Sequence, residues 1–369
     1  MVDGTEHRQS RRRMRILTVV GARPQFVKSA PVGKAISAAG HTEILVHTGQ
    51  HYDYEMSQVF FEEMGIPEPH VNLGIGSGTH AWQTGQMLIG LEEVLQAEDP
   101  DWVLVYGDTN STLAGALAAC KLRLPLAHVE AGPRGFNWEL PEECNRVLTD
   151  HCADLLFCAT ETDVDNLARE GITRGVHQVG DTMYDAMLQF GPIARQKSKV
   201  LDRLGLKSGG YLLATVHRAH NSDDPKTLSA LVSAFAALGE PLVFPVHPRT
   251  RKRISELESF ASGDRPADTL RLIEPVGYLD MLVLEQNARL ILTDSGGVQR
   301  EAYFLGVPCV TVLTETLWPE TEKAGWNVVV GTDIDAIKHA VHDHTWPVTP
   351  PEPIFGTGHA AEEIVRLLE

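Results

Sequence analysis

The feature that most constrains the fold of this chain is a regular alternation of short apolar runs with longer segments of helical period. The run Trp102–Tyr106 is almost continuously apolar, and the segments on either side, Ala81–Gln96 and Thr112–Leu122, carry apolar residues at helical spacing. Strands of this kind occur in parallel sheets that helices cover on both faces. The pattern therefore predicts a doubly wound α/β fold.

The predicted strands fall into two series. The first is Ile16–Val20, Glu43–His47, Trp102–Tyr106, Leu126–Glu130, Asp154–Cys158 and Val176–Val179. The second is Tyr211–Val216, Leu242–Pro245, Leu270–Ile273, Leu290–Thr293 and Cys309–Val312. A chain of 369 residues is too long for one compact core. We therefore predict two doubly wound domains of similar size, with ligands bound in a cleft at the carboxyl ends of the strands.

The boundaries follow from composition. Residues 1–13 are predicted to be a disordered tail, and residues 14–188 an N-terminal domain. Residues 189–210, rich in Lys, Arg, Ser and Gly, are the predicted interdomain region. Residues 211–369 form the predicted C-terminal domain. Its last helix is a candidate for packing back on the N-terminal domain.

Charge, hydropathy and cysteine usage exclude several classes of function. The net charge of −17 disfavours a nucleic-acid partner, because an acidic surface repels phosphate backbones. No apolar run approaches the roughly 18–20 residues of a membrane span, so no membrane insertion is expected. The five cysteines are an odd number without a CxxC motif, which favours free thiols in a reducing cytoplasm and offers no zinc ligand set.

Three carboxylates stand where strands end or helices begin in the first series. Asp108 follows the third strand, Glu130 ends the fourth, and Glu142 comes directly after a helix-initiating Pro141. Carboxylates clustered at one edge of a sheet raise one another's proton affinity, as acid/base catalysis requires. Two simpler interpretations stay open: Asp108 as a helix cap, and Glu142 as the partner of a surface ion pair with Arg146.

Basic and polar residues at other strand ends indicate an anionic ligand. Arg23 and Lys28 follow the first strand at a helix start, which suits an anion. Gln50 and His51 follow the second strand, and Arg134 is a candidate partner for Glu130.

The second series carries the strongest local signal. Ser295, Gly296 and Gly297 lie between a strand and a helix, where bare backbone N–H groups can hold phosphate, and Glu301 lies one turn on, where it can accept from ribose hydroxyls. His217 follows an earlier strand of the series. A metal pair of His217 and His220 lacks a third ligand, so no metal is expected. A nucleoside diphosphate fits better than a dinucleotide, because the GxGxxG pattern is absent from this segment.

In this order the motifs resemble those of the non-hydrolysing UDP-N-acetylglucosamine 2-epimerases, from about Met14 to the C-terminus. They are Gly-Ala-Arg-Pro-Gln at 21–25 with Lys28, Thr-Gly-Gln-His at 48–51, Gly-Asp-Thr at 107–109, His-Val-Glu-Ala-Gly-Pro-Arg at 128–134, Pro-Glu-Glu-Cys-Asn-Arg at 141–146, His-Arg at 217–218 and Asp-Ser-Gly-Gly-Val-Gln-Arg-Glu at 294–301. Ala-Arg-Pro-Gln-Phe at 22–26 and Gly-Phe-Asn at 135–137 are closer to the branch that epimerises UDP-2,3-diacetamido-glucuronic acid. The two branches overlap in sequence.

The resemblance implies a glycosyltransferase-B type fold of two Rossmann-like domains, a cytoplasmic homodimer, and a UDP-sugar substrate with no metal or nicotinamide. It also implies that C2 of the sugar is inverted by elimination and re-addition of UDP. The resemblance also implies roles for individual residues. Asp108, Glu130 and Glu142 would be the acid/base catalysts, and His217 and Arg23 would stabilise the leaving diphosphate. Phosphate and ribose would be bound by Ser295, Gly296, Gly297 and Glu301, and other parts of the substrate by Lys28, Gln50, His51, Arg134, Arg146, Arg218 and His247.

Several positions depart from the family pattern. Pro133, His220, Leu313 and Leu317 stand where the family usually has Leu, Glu, Arg and a charged residue. Two alternatives therefore stay open beside the epimerase: a UDP-sugar-dependent glycosyltransferase of the same fold, and a UDP-sugar sensor without catalytic activity.

Overall fold

The structure is a computed structural model, and it describes residues 12–50, 65–257 and 269–369, without the side chains of residues 219, 220 and 249. Most of the predicted tail, and His51 among the predicted site residues, lie outside these ranges. Within them, none of the helices is long and apolar enough to cross a membrane.

The first half of the chain forms a parallel sheet with the strand order β3-β2-β1-β4-β5-β6-β7. Its strands are β1 (Arg15–Val20), β2 (Thr42–His47), β3 (Val71–Asn72), β4 (Trp102–Tyr106), β5 (Leu126–Val129), β6 (Leu155–Cys158) and β7 (Val176–Gln178). The central strands are buried almost throughout, because helices cover both faces of the sheet. The order reverses between β1 and β4, which is where ligands bind in open sheets of this kind.

The second half repeats this plan with the order β10-β9-β8-β11-β12-β13, again parallel. Its strands are β8 (Leu212–Thr215), β9 (Leu242–Pro245), β10 (Leu270–Ile273), β11 (Leu290–Thr293), β12 (Cys309–Thr311) and β13 (Asn327–Val329). The reversal lies between β8 and β11. The predicted fold of two doubly wound α/β units is confirmed.

The helices of the described ranges follow the strands. They are α1 (Arg23–Ala38), α2 (His80–Glu98), α3 (Asn110–Leu122), α4 (Pro141–Cys152), α5 (Glu161–Arg169), α6 (Thr182–Lys197), α7 (Val200–Leu204), α8 (Ala219–Ser222), α9 (Pro225–Ala236), α10 (Pro248–Glu256), α11 (Tyr278–Asn287), α12 (Gly296–Leu305), α13 (Pro319–Lys323), α14 (Ile334–His342) and α15 (Ala360–Leu368).

Two strands are absent from the sequence prediction, β3 and β13. Each is the edge strand of its sheet and has only two or three residues. Edge strands are often kept this short, and a run of two or three residues has no period to detect.

Two helices, α6 and α7, occupy most of the predicted interdomain region. Helix α6 contacts both α1 and α11, and so packs against elements of both sheets. The last helix, α15, also contacts α1. Trp102 Nε1 donates a hydrogen bond to Leu368 O at 3.0 Å, which ties the end of α15 to the first sheet.

Candidate active site

The turn between β1 and α1 is closed by a side chain of its own helix. Gln25 Oε1 accepts hydrogen bonds from the N–H groups of Gly21 and Ala22 at 2.8 and 3.0 Å, and Gln25 Nε2 donates to Tyr106 O at 2.8 Å. A Cβ on Gly21 would lie 2.1 Å from Ser111 Oγ, so this position requires glycine. These two N–H groups are therefore engaged within the protein, and the anion binding predicted for this turn would depend on its side chains.

Glu130 lies directly after β5 in the left-handed region, with a φ of +67°, which is uncommon for a residue other than glycine. Its Oε2 atom lies 2.5 Å from Lys28 Nζ and 3.0 Å from Arg300 Nη1. Burial raises the pKa of Glu130, but the charges of Arg300 and Lys28 outweigh it and lower the pKa to about 2. The carboxylate is thus held ionised between two cations.

Arg300 joins the two halves of the chain. It lies on α12, is almost fully buried, and also pairs with Asp181 at 2.7 Å. Its guanidinium carbon stacks 4.0 Å from the ring centroid of Trp318. The sequence analysis assigned no role to Arg300 or to Asp181. Arg300 could have been noticed, because it is a basic residue one turn into the helix that begins at Ser-Gly-Gly.

Asp108 and α4 meet through Arg146. Arg146 forms one ion pair with Asp108 and another with Glu143 at 2.6 Å, while Asn145 Nδ2 donates to Asp108 O at 2.9 Å. Glu142 therefore does not form the ion pair with Arg146 that the sequence left open. It is partly buried in the first turn of α4.

Glu143, which the sequence analysis left without a role, fixes the loop before α4. It accepts hydrogen bonds from the N–H groups of Gly135 and Phe136 at 3.1 and 2.8 Å. Burial raises the pKa of Glu143, but Arg146 and these two N–H groups lower it below its usual range. Arg146 therefore links this loop to Asp108, so it acts as a positioning residue whatever else it binds.

Arg134 is not the partner of Glu130 in this structure. Its ion pairs are with Asp150 at 2.7 Å and Glu170 at 2.7 Å, and only 1% of its side chain is exposed. His128 Nδ1 lies 2.6 Å from the same Asp150. Arg134 thus belongs to a buried network behind the strand ends, because two carboxylates nearer to it compete successfully for its guanidinium.

Gln50 lies at the carboxyl end of β2 and faces α3. Its Oε1 atom accepts from Ser111 N at 3.1 Å and from Ser111 Oγ at 2.7 Å. The amide of Gln50 is thereby oriented beside the turn that carries Asp108.

On the other side of the cleft, Asp294 shapes the loop after β8. It is fully buried and accepts from the backbone N–H groups of His217 and Arg218 at 3.1 and 3.0 Å and from Asn221 Nδ2 at 3.1 Å. The His217 side chain is 61% exposed, with Nδ1 3.6 Å from Asp294 Oδ1. This leaves Nε2 available to a ligand. His247 lies exposed after β9.

The Ser-Gly-Gly segment begins α12 as predicted. Ser295 is the N-cap, and its Oγ accepts from Val298 N at 3.4 Å. The N–H groups of Gly296 and Gly297 open the helix, where they have no acceptor within it. Glu301 is buried beside the Tyr278 hydroxyl, and burial raises its pKa to about 7 despite the charge of Arg300.

The family model for UDP-N-acetylglucosamine 2-epimerase matches residues 34–369. A UDP-N-acetylglucosamine 2-epimerase homologue of Methanococcus maripaludis is 51% identical over 96% of this chain and 99% of its own. The UDP-2,3-diacetamido-2,3-dideoxy-D-glucuronate 2-epimerase of Pseudomonas aeruginosa is 46% identical over the same shares.

Solved structures agree. The UDP-GlcNAc 2-epimerase of Methanocaldococcus jannaschii, in complex with UDP-GlcNAc and UDP, superposes with a TM-score of 0.88 at 43% identity, covering 96% of this chain and 99% of that one. A glycosyltransferase of Rickettsia africae matches at 11% identity with a TM-score of 0.56, which shows a shared fold alone. The family resemblance of the motifs is confirmed: this chain belongs to the UDP-N-acetylglucosamine 2-epimerase family.

Proposed function

We propose that this protein inverts C2 of a UDP-2-acetamido sugar by eliminating UDP and adding it back. The substrates are UDP-GlcNAc and UDP-ManNAc, or their 2,3-diacetamido uronic acid analogues, because relatives with both specificities match nearly the whole chain. The resemblance to the family further leads us to propose a cytoplasmic homodimer.

The contact between Arg300 and Glu130 carries this proposal. Arg300 lies on the helix that Ser295 to Gly297 open, and its Nη1 atom is 3.0 Å from Glu130 Oε2. A diphosphate at the start of α12 and a carboxylate after β5 would therefore lie on either side of one arginine side chain. A sugar attached to that diphosphate would reach the carboxylates of the first sheet.

C2 is not next to a carbonyl group, so its proton cannot leave by simple enolisation. In the elimination a carboxylate takes the C2 proton, the C–H electron pair forms the C1–C2 double bond, and the C1–O pair leaves with UDP. In the reverse step the UDP oxygen attacks C1, and C2 receives a proton on its other face. The intermediate is a 2-acetamidoglucal.

The structure supports different tasks for the three carboxylates. Asp108, with 32% of its side chain exposed, and Glu142, also partly exposed, are accessible enough to exchange protons with substrate. Glu130, with its pKa near 2, stays ionised and offers negative charge to the carbon centre that becomes electron-poor as UDP leaves.

Cations and donors from both walls would hold the leaving UDP. His217 and Arg23 are proposed to meet the diphosphate, together with Ser295 and the N–H groups of Gly296 and Gly297. The remaining family-derived assignments are retained as proposals for substrate binding. They are Lys28, Gln50, His51, Arg146, Arg218, His247 and Glu301.

The test is incubation with UDP-GlcNAc, and separately with the diacetamido uronic UDP-sugar, in heavy water without any acceptor. Anomeric NMR signals should report epimerised product that carries deuterium at C2, because enzyme carboxylates exchange protons with solvent. An oxygen label bridging C1 and the β-phosphate should scramble among that phosphate's oxygens.

Variants sharpen the result. Asp108→Asn should lose ~10²–10⁴-fold in turnover, whereas Glu139→Gln, an exposed acid in the neighbouring loop, should retain it. Product that keeps its original C2 hydrogen would contradict the elimination. Absence of product from both sugars, with turnover appearing only when an acceptor is added, would instead establish a glycosyltransferase.

A further inference from the structure

Trp318 carries a buried hydrogen-bond donor, its indole N–H group. The residue is 2% exposed, and among the described residues no atom accepts a hydrogen bond from its Nε1. Leaving a buried donor unpaired is unfavourable, so native structures rarely retain one without a reason. Because the described residues offer no acceptor, the indole N–H is a candidate donor to a bound ligand.

The N–H edge of this indole faces the start of α12. A Cβ built on Gly296 would lie 3.1 Å from Trp318 Nε1, while the next nearest atom, Trp318 Cδ1, would be 3.8 Å away. Gly296 is one of the residues whose backbone N–H groups open the helix and attract anions. A side chain at Gly296 would press against the indole N–H, so glycine at this position lets the helix start and the indole lie side by side.

The neighbours of Trp318 hold its ring in place. Arg300 stacks on the ring at 4.0 Å from the centroid, and Phe355 packs edge-on with the ring centroids 5.9 Å apart. Arg300 is itself fixed by Glu130 and Asp181. A donor that is fixed before the ligand arrives loses little conformational entropy on binding.

We propose that Trp318 Nε1 donates a hydrogen bond to a phosphate oxygen of the nucleoside diphosphate bound at Ser295, Gly296 and Gly297. The inference rests on the proposed function for the identity of the ligand as UDP. An indole nitrogen can only donate, so it suits an anion whose oxygens only accept. It adds a side-chain donor to the backbone donors of the helix start.

Calorimetric titrations of uridine, UMP and UDP test the proposal. Trp318→Phe keeps an aromatic ring under Arg300 but removes the N–H group. We expect UDP affinity to fall by roughly 10- to 100-fold, the range for a hydrogen bond to a charged group, while uridine affinity stays unchanged. Trp326→Phe is the matched control, because Trp326 belongs to the same apolar cluster and its substitution should leave UDP affinity unchanged.

A second measurement uses the wild-type protein, so that it does not depend on the variant folding. The six tryptophans of the chain give six indole ¹⁵N–H signals, and single Trp→Phe substitutions assign them, the last by elimination. The Trp318 signal should shift downfield on addition of UDP and stay in place on addition of uridine.

The outcomes separate this inference from the proposed function. If the wild-type protein binds UDP but Trp318→Phe binds it equally well, or if the Trp318 signal does not move with UDP, only the inference is wrong. If Trp318→Phe weakens uridine as much as UDP, the donor meets the nucleoside and the phosphate assignment is overturned. If the wild-type protein binds no UDP, the proposed function fails and the inference fails with it.

Discussion

The cleft has two walls, one at the strand ends of the first sheet and one at the strand ends of the second sheet. They differ in whether their polar groups have partners within the described part of the protein. On the first-sheet wall, the charged groups already have partners: Glu130 lies between Lys28 and Arg300, and Asp108 is paired with Arg146. On the second-sheet wall, the His217 side chain is largely exposed and the Trp318 N–H group lacks an acceptor among the described residues.

This difference leads us to expect a catalytic role for the first-sheet wall and a ligand-binding role for the second-sheet wall. Charges that are fixed before substrate arrives need no reorganisation during the reaction, as acid/base and electrostatic catalysis require. Donors without partners gain the most when an anion arrives, as ligand binding requires. We therefore expect substitutions on the first-sheet wall to reduce turnover and stability, and substitutions on the second-sheet wall to reduce the affinity for UDP.

The largest effect is expected for Glu130→Gln. Turnover should fall by ~10²–10³-fold, the typical cost of losing one group that stabilises charge in the transition state. The free energy of unfolding should fall by about 3–5 kcal/mol, because the buried Lys28 would lose its counter-charge and Arg300 would keep only its pair with Asp181. Single-turnover kinetics and urea unfolding measure the two effects.

Asp108→Asn is the matched comparison for Glu130→Gln on the same wall. The side chain of Asp108 is one-third exposed, and Arg146 keeps its pair with Glu143 after the substitution. Its stability should therefore change by less than about 1 kcal/mol. Equal losses of stability in the two variants would show that the pairs of Glu130 with Lys28 and Arg300 stabilise the fold no more than the pair of Asp108 with Arg146 does.

Arg134→Met should destabilise the protein by about 3–5 kcal/mol, because Asp150 and Glu170 would lose a buried cation. The KM of the folded enzyme should remain that of the wild type, since only 1% of the Arg134 side chain is exposed. Arg169→Met, on the exposed face of α5, controls for the loss of one positive charge. A raised KM with unchanged unfolding would restore the substrate-binding role that the family resemblance implies.

Most of the fold was accessible to sequence reasoning because every strand except the short edge strands β3 and β13 carries its own signal. Runs such as Trp102–Tyr106 are apolar and bounded by helical segments. The ends of such a strand, and the residues that follow it, can therefore be predicted from the neighbouring sequence alone. The positions of Asp108 and Glu130 after their strands were predicted for that reason. Nothing beyond the residues in and around each strand was needed.

The ion pairs were not accessible in the same way. Arg300 and Glu130 are 170 positions apart in the chain, and their contact depends on how the two sheets face each other. Arg134 was assigned to Glu130 from sequence proximity, yet Asp150 and Glu170 surround it in space. Likewise, the role of Trp318 depends on its contact with Gly296, which no local pattern encodes.

Glu301, which is buried on α12, allows the energetic effect of burial to be measured. Its pKa is raised to about 7, chiefly by burial, so the folded protein binds this proton more tightly than the unfolded chain does. The stability from this proton is fully present below pH ~4.5 and is lost as the pH rises through 7. Relative to Glu301→Gln, which cannot titrate, the wild-type protein should lose about 2–3 kcal/mol of unfolding free energy over that window.

Urea unfolding of both proteins at half-unit pH steps measures this difference. A difference that stays constant with pH would mean that the Glu301 carboxyl is better solvated than its burial indicates. Because both proteins share every other titrating group, the comparison isolates position 301 and the groups that it touches.

The smallest effect is expected for His217→Ala, and it concerns UDP rather than stability. His217 is exposed and its side chain approaches only Asp294, so its removal leaves no buried group uncompensated except at that one contact. Affinity for UDP should fall about tenfold, the loss of one hydrogen bond to a charged ligand, and turnover should fall with it. His359→Ala, an exposed histidine before α15, should change neither quantity. Calorimetric titration, steady-state kinetics and urea unfolding of the three proteins test this prediction. Unchanged affinity for UDP together with unchanged turnover would remove His217 from the site. A loss of stability instead of affinity would group His217 with the residues of the first-sheet wall.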